Sequence, residues 1–296
     1  MWLIERSRAL LSRCAITVFQ GTKKPIIGGT CRLIIWVMGR RPGELGTFHE
    51  KAIQKFDLLT GSKFETKTPT FSDAGGASNH GQFPAIQAYH LQNATISTDT
   101  VNVAVETKLL SSPYRLANLD RVPFNATWLG YVDGNTCILP TRENRAFESG
   151  ILIDGDGGSN WYHFLIECLP KAWLSERLPA HFDDYPLIVP PNCSSVTNFS
   201  KAIALFSGSR TVIHAEQAQR VGVKDLIVID DVVRAPFNLY RGLWPIPSEY
   251  SQHDDFLRDY AREIRLRLGV CRNKGNQPSR IFLQRPGSRR DYNQDA

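Results

Sequence analysis

Ile151-Leu152-Ile153-Asp154-Gly155-Asp156-Gly157-Gly158-Ser159-Asn160-Trp161-Tyr162-His163-Phe164-Leu165-Ile166-Glu167-Cys168-Leu169-Pro170-Lys171 is the stretch on which the fold turns. A short apolar run ends in an acid, passes through a glycine-rich turn and enters a helical repeat. That is the signature of a buried strand handing over to a helix. Ser159 or Asn160 is a suitable N-cap, because a short polar side chain there accepts from an otherwise unpaired amide. Trp161, Phe164, Leu165, Cys168, Leu169 and Ala172 recur at helical spacing and read as the core face. Asn160, His163, Glu167 and Lys171 fall on a neighbouring face. His163 and Glu167 are one turn apart, so the carboxylate can hold and polarise the imidazole.

Downstream, the alternation continues. Leu187-Ile188-Val189 reads as the next strand and 196–207 as a helix. Further strands are expected at 211–214 and 226–230, a long helix over 254–268, and a last strand at Arg280-Ile281-Phe282-Leu283. Strands alternating with helices predict an α/β fold, a Rossmann-like parallel sheet with helices on both faces, over 151–296. Upstream, 86–150 holds short β-leaning runs, among them 101–105 and 126–132, with Asp133-Gly134 as a hairpin turn signal. It reads as a small β-rich subdomain. Residues 1–85 read as an N-terminal extension and linker, with 60–84 rich in Gly, Ser, Thr and Pro. The first 20 residues suit a basic amphipathic helix, packed on the body or lying on a membrane surface.

In an open α/β sheet, ligands bind beyond the carboxyl ends of the strands. The start of the 159–171 helix lies there, so His163 is a candidate general base for a hydroxyl proton, with Glu167 its partner. Asp154 and Asp156 are rival candidates. The alternative reading is a solvated polar face and two loop acids. Gly155-x-Gly157 is followed by Asn160 where a third glycine would stand, and the next strand runs into Pro190. Both features disfavour a dinucleotide fingerprint. The second constellation is Arg280-Ile281-Phe282-Leu283-Gln284-Arg285-Pro286-Gly287-Ser288-Arg289-Arg290-Asp291-Tyr292-Asn293. Arginines at a strand's carboxyl end can grip a diphosphate through paired hydrogen bonds. The bland reading is a basic tail.

These two segments together resemble the family 61 glycosyltransferases. NWYHFLIECLPK is similar to that family's N-Y-x-H-W-x-x-E-x-L-P helix, at Asn160, His163 and Glu167. RIFLQRPGSRRDYN is similar to its strand followed by R-x-x-x-x-R-x-x-N, at Arg285, Arg290 and Asn293. The family includes plant cell-wall xylosyl- and arabinosyltransferases, animal protein O-linked GlcNAc transferases and bacterial capsule-synthesis proteins. The resemblance covers roughly 100–296. It implies a GT-B architecture of two Rossmann-like domains and inverting transfer of a sugar from a nucleotide-diphosphate donor to a hydroxyl of a glycan or protein acceptor. It further implies His163 as the base or acceptor-orienting group with Glu167 its partner, and Arg285, Arg290, Asn293 and Asn160 toward the donor; Asp154 stays a catalytic candidate on the residue reading alone. The nucleotide sugar is then a co-substrate, and neither a resident cofactor nor a metal is expected, although Asp154-Gly155-Asp156 does spell D-x-D. The family continues into a further glycine-containing region that supplies most of the donor pocket. This sequence ends at Ala296, so the second Rossmann-like domain is expected to be incomplete. The competing expectation is a non-catalytic remnant or acceptor-binding module.

Composition is compatible with this. The 296 residues are 42% hydrophobic and 22% charged, enough for a sizeable core. A formal net charge of +6 suits either an ordinary basic surface or an anionic partner such as a nucleotide diphosphate. No basic run interleaved with aromatics points to nucleic acid. Cysteines at 14, 31, 137, 168, 193 and 271 form no C-x-x-C pair, which fits free thiols in a reducing compartment. The charged start MWLIERSRALLSR does not read as a signal peptide, and the longest early apolar run, 33–38, is too short to span a bilayer. A cytoplasmic enzyme of polysaccharide biosynthesis is expected, and the sequons at Asn93, Asn125, Asn192 and Asn198 then read as chance matches.

Overall fold

The computed structural model describes residues 40–67, 78–98, 102–117, 132–133, 136–140, 143, 145–155, 157–216, 220–234 and 251–270. In chain order the strands and helices begin with β1 (Arg40–Thr47), α1 (Phe48–Lys51), β2 (Gln54–Leu59), β3 (Ser62–Lys67) and β4 (Ser78–Phe83). Then come β5 (Ile86–Ser97), β6 (Val103–Val105), β7 (Lys108–Ser111), α2 (Pro113–Leu116), β8 (Val132–Asp133), β9 (Thr136–Pro140) and β10 (Arg145–Leu152). The second half has α3 (Trp161–His163), a π turn (Phe164–Cys168), α4 (Leu169–Leu174), β11 (Leu187–Val189), α5 (Asn192–Ser195) and α6 (Thr197–Ala204). It closes with β12 (Val212–His214), β13 (Arg220–Ile229), β14 (Val233–Arg234), β15 (Ser251–Gln252) and α7 (Asp254–Arg267).

The fold is α/β around one mixed sheet of 11 described strands, in the order β12-β11-β10-β13-β5-β6-β7-β1-β9-β8, with β2 also paired to β5. The first four strands are mutually parallel. In chain order, β10, β11 and β12 step outward in one direction, and β13 returns to the other side of β10. The strand order therefore reverses between β10 and β13. Ligand crevices form at such a switch point, because the loops leaving the two strands diverge to opposite sides.

Alternation along these buried strands sets the two faces. Ile151, Ile153, Leu187, Val189, Ile227 and Ile229 pack with Phe164, Cys168, Leu169, Ala172, Phe199, Ile203, Phe256 and Tyr260. Leu152, Ile188, Leu226 and Val228 face the other way, with Phe48, Tyr89, Ile96 and Ala215. Each fully buried Phe or Leu contributes about 1.5–3 kcal/mol. Helices on both faces were expected. Among the described residues, α4, α6 and α7 share one face, and the other carries the four-residue α1 and the stretch around Ala215. The reason is arithmetic. Two successive crossovers of the same hand put their helices on one side, and only five residues separate β12 from β13, too few for a crossover helix.

Two further expectations change. Residues 60–84, read as linker, contain the antiparallel pair β3–β4, and Ser62 aligns with Phe83. Phe83 is fully buried, so apolar side chains outweigh the turn-rich composition of that stretch. The β-rich region is also continuous with the parallel block: β5 lies antiparallel to β13 from Arg220↔Ser97 to Ile229↔Ala88. The pairing Val132↔Cys137 and Asp133↔Thr136 follows the Asp133-Gly134 turn signal. The predicted N-terminal amphipathic helix, Asp156, the strand at 280–283, Arg285, Arg290 and Asn293 lie outside the described residues. No helix among the described residues is long and apolar enough to cross a membrane.

Candidate active site at the switch point

β10 runs out through buried Ile153 into Asp154, which is 1% exposed. The turn that follows is closed by Gly158 N–H donating to Gly155 O (3.1 Å) and Asn160 N–H to Gly157 O (2.7 Å). Gly157 has φ 75°, a conformation that costs a side-chain-bearing residue. Gly158 is required by contact: a Cβ there would stand 2.7 Å from Asp154 Oδ1, 3.1 Å from Pro190 Cγ and 3.3 Å from Cys168 Sγ. The Asp154 carboxylate accepts from Gly155 N–H at 2.7 Å and so organises the turn. Asn160 is the N-cap, its Oδ1 accepting from Tyr162 N–H at 2.9 Å.

The helix beyond this turn is not regular. Leu169 N–H reaches Phe164 O, five residues back, which defines the π turn. Pro170 supplies a physical cause. It has no N–H for Ile166 O, and its ring crowds that carbonyl, so the preceding turn widens. One inserted residue rotates everything downstream by about 100°. His163 and Glu167 keep their i, i+4 relation: Nδ1 and Oε1 are 2.7 Å apart, with side chains 19% and 17% exposed. A neutral imidazole that donates from Nδ1 to Glu167 makes Nε2 its acceptor nitrogen, the arrangement a general base needs. Burial raises the Glu167 carboxyl above its ordinary value, and Asp231 adds to this, while the bond from His163 opposes it.

Lys171 does not continue the stripe of Asn160, His163 and Glu167. The widened turn swings it into the interior, where it is 2% exposed. Its ammonium donates to Asp154 O (3.2 Å) and pairs with Asp231 Oδ1 (2.7 Å). It thereby ties the end of β10 to the end of β13, across the switch point. Burial works against its charge, but Asp231, with help from Glu167, more than compensates and holds the ammonium above the ordinary lysine value. Trp161, read as core, is 42% exposed: it sits at the outer end of α3 and only its underside is packed, on Phe164 and Phe199.

On the other face of the switch point stands a group that sequence reading did not single out. Asp230 Oδ2 accepts from Gln87 N–H and Tyr89 O–H, both at 3.1 Å. His49 Nε2 lies 3.2 Å from the same Tyr89 hydroxyl. Burial raises the Asp230 carboxyl from 3.8 to about 6, against the two bonds it accepts. Burial and the neighbouring Asp230 keep the Tyr89 hydroxyl protonated, and hence a donor. Arg234, two residues beyond Val232, lies 4.9 Å over the Phe83 ring and 5.7 Å from the Tyr114 ring. A signal for the two acids was present: Leu226-Ile227-Val228-Ile229 runs into Asp230-Asp231 just as Ile151-Leu152-Ile153 runs into Asp154.

The structure thus brings Asp154, Asn160, His163 and Glu167 onto one turn and one helix at the switch point. It adds Lys171, Asp230 and Asp231. Among the described residues no group of three His, Cys, Asp or Glu side chains is placed to hold a metal ion. Comparison of the chain with protein-family models, with curated proteins and with solved structures finds no match.

Proposed function

We propose that this chain is an inverting glycosyltransferase of GT-B architecture, acting in polysaccharide biosynthesis. The observation that supports it is the His163–Glu167 pair, 2.7 Å apart and still reaching solvent, at the head of the helix that leaves β10 beside the switch point. His163 Nε2 takes the proton of an acceptor hydroxyl. The hydroxyl oxygen attacks the anomeric carbon of the donor sugar from the face opposite the leaving group. The bond from that carbon to the nucleotide diphosphate breaks, and the diphosphate departs with the electron pair. Glu167 holds the imidazole in the required tautomer and offsets the charge it acquires. Asp154 is buried and engaged by the turn, so the base role falls to His163 rather than to the aspartate. The leaving diphosphate is assigned to Arg285, Arg290 and Asn293.

The test is release of nucleoside diphosphate from a panel of nucleotide sugars by the purified chain. Positioned general bases contribute about a hundredfold to ten-thousandfold. His163→Ala is therefore expected to lower release at least a hundredfold, with folding checked by circular dichroism. Release unchanged in His163→Ala, or no release from any donor, overturns the proposal.

A further inference from the structure

Large aromatic side chains at a helix head normally turn inward, because each buries a large apolar area. Here two consecutive ones do not. Trp161 is 42% exposed and Tyr162 is 63% exposed. Neither dangles. The Trp161 ring is backed by Phe164 (centroids 5.9 Å, stacked) and Phe199 (5.1 Å, edge-on). Phe164 and Phe199 in turn pack on each other at 4.6 Å, and both are buried. The Tyr162 ring meets His163 edge-on at 5.5 Å. The backbone beneath is fixed by the Asn160 cap and by Asn192 Nδ2, which donates to Ser159 O at 2.8 Å. Trp161 thus stands on a fixed aromatic base with its outer side to solvent, and Tyr162, the next residue along, stands against His163 of the His163–Glu167 pair.

Charge decides what suits it. From Ile153 to Pro170 the sequence holds no lysine or arginine, and three acids, Asp154, Asp156 and Glu167. The nearest cation along the helix, Lys171, is buried and already paired with Asp231. A phosphate or other anion finds no counter-charge on this segment. A neutral sugar ring does fit. Its C–H face is apolar and stacks on an aromatic ring, while its rim hydroxyls reach the polar groups at the start of the helix.

We propose that Trp161 and Tyr162 form the stacking platform for a neutral sugar ring of the acceptor, holding one of its hydroxyls toward His163. This rests on the glycosyltransferase reading and narrows it, making the acceptor a glycan rather than a polypeptide hydroxyl.

The experiment is calorimetric titration of the full chain with short neutral oligosaccharides (xylo-, cello-, manno- and chito-series) and, separately, with nucleoside diphosphates. Variants are Trp161→Ala, Trp161→Phe and Tyr162→Ala. At least one oligosaccharide series is expected to bind. Trp161→Ala should weaken it at least tenfold, about 1.4 kcal/mol, Trp161→Phe should restore most of the loss, and nucleoside diphosphate affinity should stay unchanged. Because Trp161→Phe keeps a ring over Phe164 and Phe199, it separates loss of the platform from loss of folding. Oligosaccharide binding unaltered by Trp161→Ala overturns the platform, and so does loss of nucleotide rather than glycan affinity. Nucleoside diphosphates bound with no oligosaccharide bound overturns the platform and leaves the transferase reading standing. No binding of either class brings down both.

Discussion

Replacing Lys171 by methionine removes an ammonium while keeping an unbranched stem of similar length. In the wild type that ammonium is 2.7 Å from Asp231 and 3.2 Å from Asp154 O, with the lysine side chain 3% exposed and the aspartate 22%. Removing one partner of a buried ion pair typically costs about 3–5 kcal/mol, because the other charge stays desolvated. Asp231 keeps some contact with water and the methionine stem keeps its packing, so the low end, about 3 kcal/mol, is expected. A domain of this size has on the order of 5–15 kcal/mol in all. The loss should therefore be obvious in urea denaturation at pH 7. The companion variant Lys171→Met/Asp231→Asn removes the orphaned charge and should recover most of it, giving a coupling above about 1 kcal/mol in the double-mutant cycle. The lysine is held above its ordinary 10.5, so its contribution is fully present below that pH and fades only as pH rises beyond it. A single variant within about 0.5 kcal/mol of wild type, or a cycle with no coupling, would refute the idea that this bridge holds the two strand ends together.

Asp230 titrates in the opposite sense to a salt-bridged acid. Its carboxyl is raised from 3.8 to about 6, so the stability it contributes is present below 3.8 and lost as pH climbs through about 6. Asp230→Asn should therefore gain on wild type by up to about 3 kcal/mol between pH 4 and pH 7, read from melts across that range; a difference flat with pH rejects the burial argument. Tyr89→Phe removes a donor to Asp230 and should cost about 1–3 kcal/mol at neutral pH while moving the Asp230 transition further up; an unmoved transition means that bond contributes nothing. Gly158→Ala forces a Cβ to within 2.7 Å of Asp154 Oδ1, between Pro190 and Cys168, and should destabilise by about 1–3 kcal/mol in thermal denaturation. An unchanged melting temperature would show that the Asp154 turn yields more easily than its packing indicates. Glu167→Gln keeps an acceptor for His163 Nδ1 but removes the charge that stabilises an imidazolium; nucleoside diphosphate release should fall at least tenfold, and a rate equal to wild type would remove Glu167 from the mechanism.

How much of this was readable beforehand depends on how local the cause is. Apolar runs such as Ile151–Ile153 and Leu187–Val189 are buried on both faces, so they announce themselves as strands. α6 and α7 each carry one apolar stripe, and their predicted spans agree with the observed ones to within a few residues. Pairing is another matter. Nothing within Ile86–Ser97 says that it will lie against Arg220–Ile229, because that register is set by cross-strand contacts more than a hundred residues apart. The same distance hid Tyr89 and His49 from any reading of the Asp230 neighbourhood. The β3–β4 hairpin was masked by composition, since Gly, Ser and Thr outnumber the buried Phe83 that anchors it.

The candidate site shows most sharply what a periodic reading captures and what it loses. An i, i+4 rule places His163 beside Glu167 and continues to Lys171, as though three polar groups shared one wet stripe. The first step holds: His163 and Glu167 meet at 2.7 Å although Glu167 lies within the widened turn. The second step fails because Pro170 denies Ile166 O its usual donor and the helix takes up the mismatch as a π turn. The side chain that would have been a solvated lysine becomes the buried cation between Asp154 and Asp231. The proline was in plain view, one residue before Lys171, and its known effect on the carbonyl four residues earlier was the available clue. The same irregularity separates two polar groups that the periodic reading had joined: Lys171 is buried between the strand ends, while His163 stays paired with Glu167 and against the exposed ring of Tyr162.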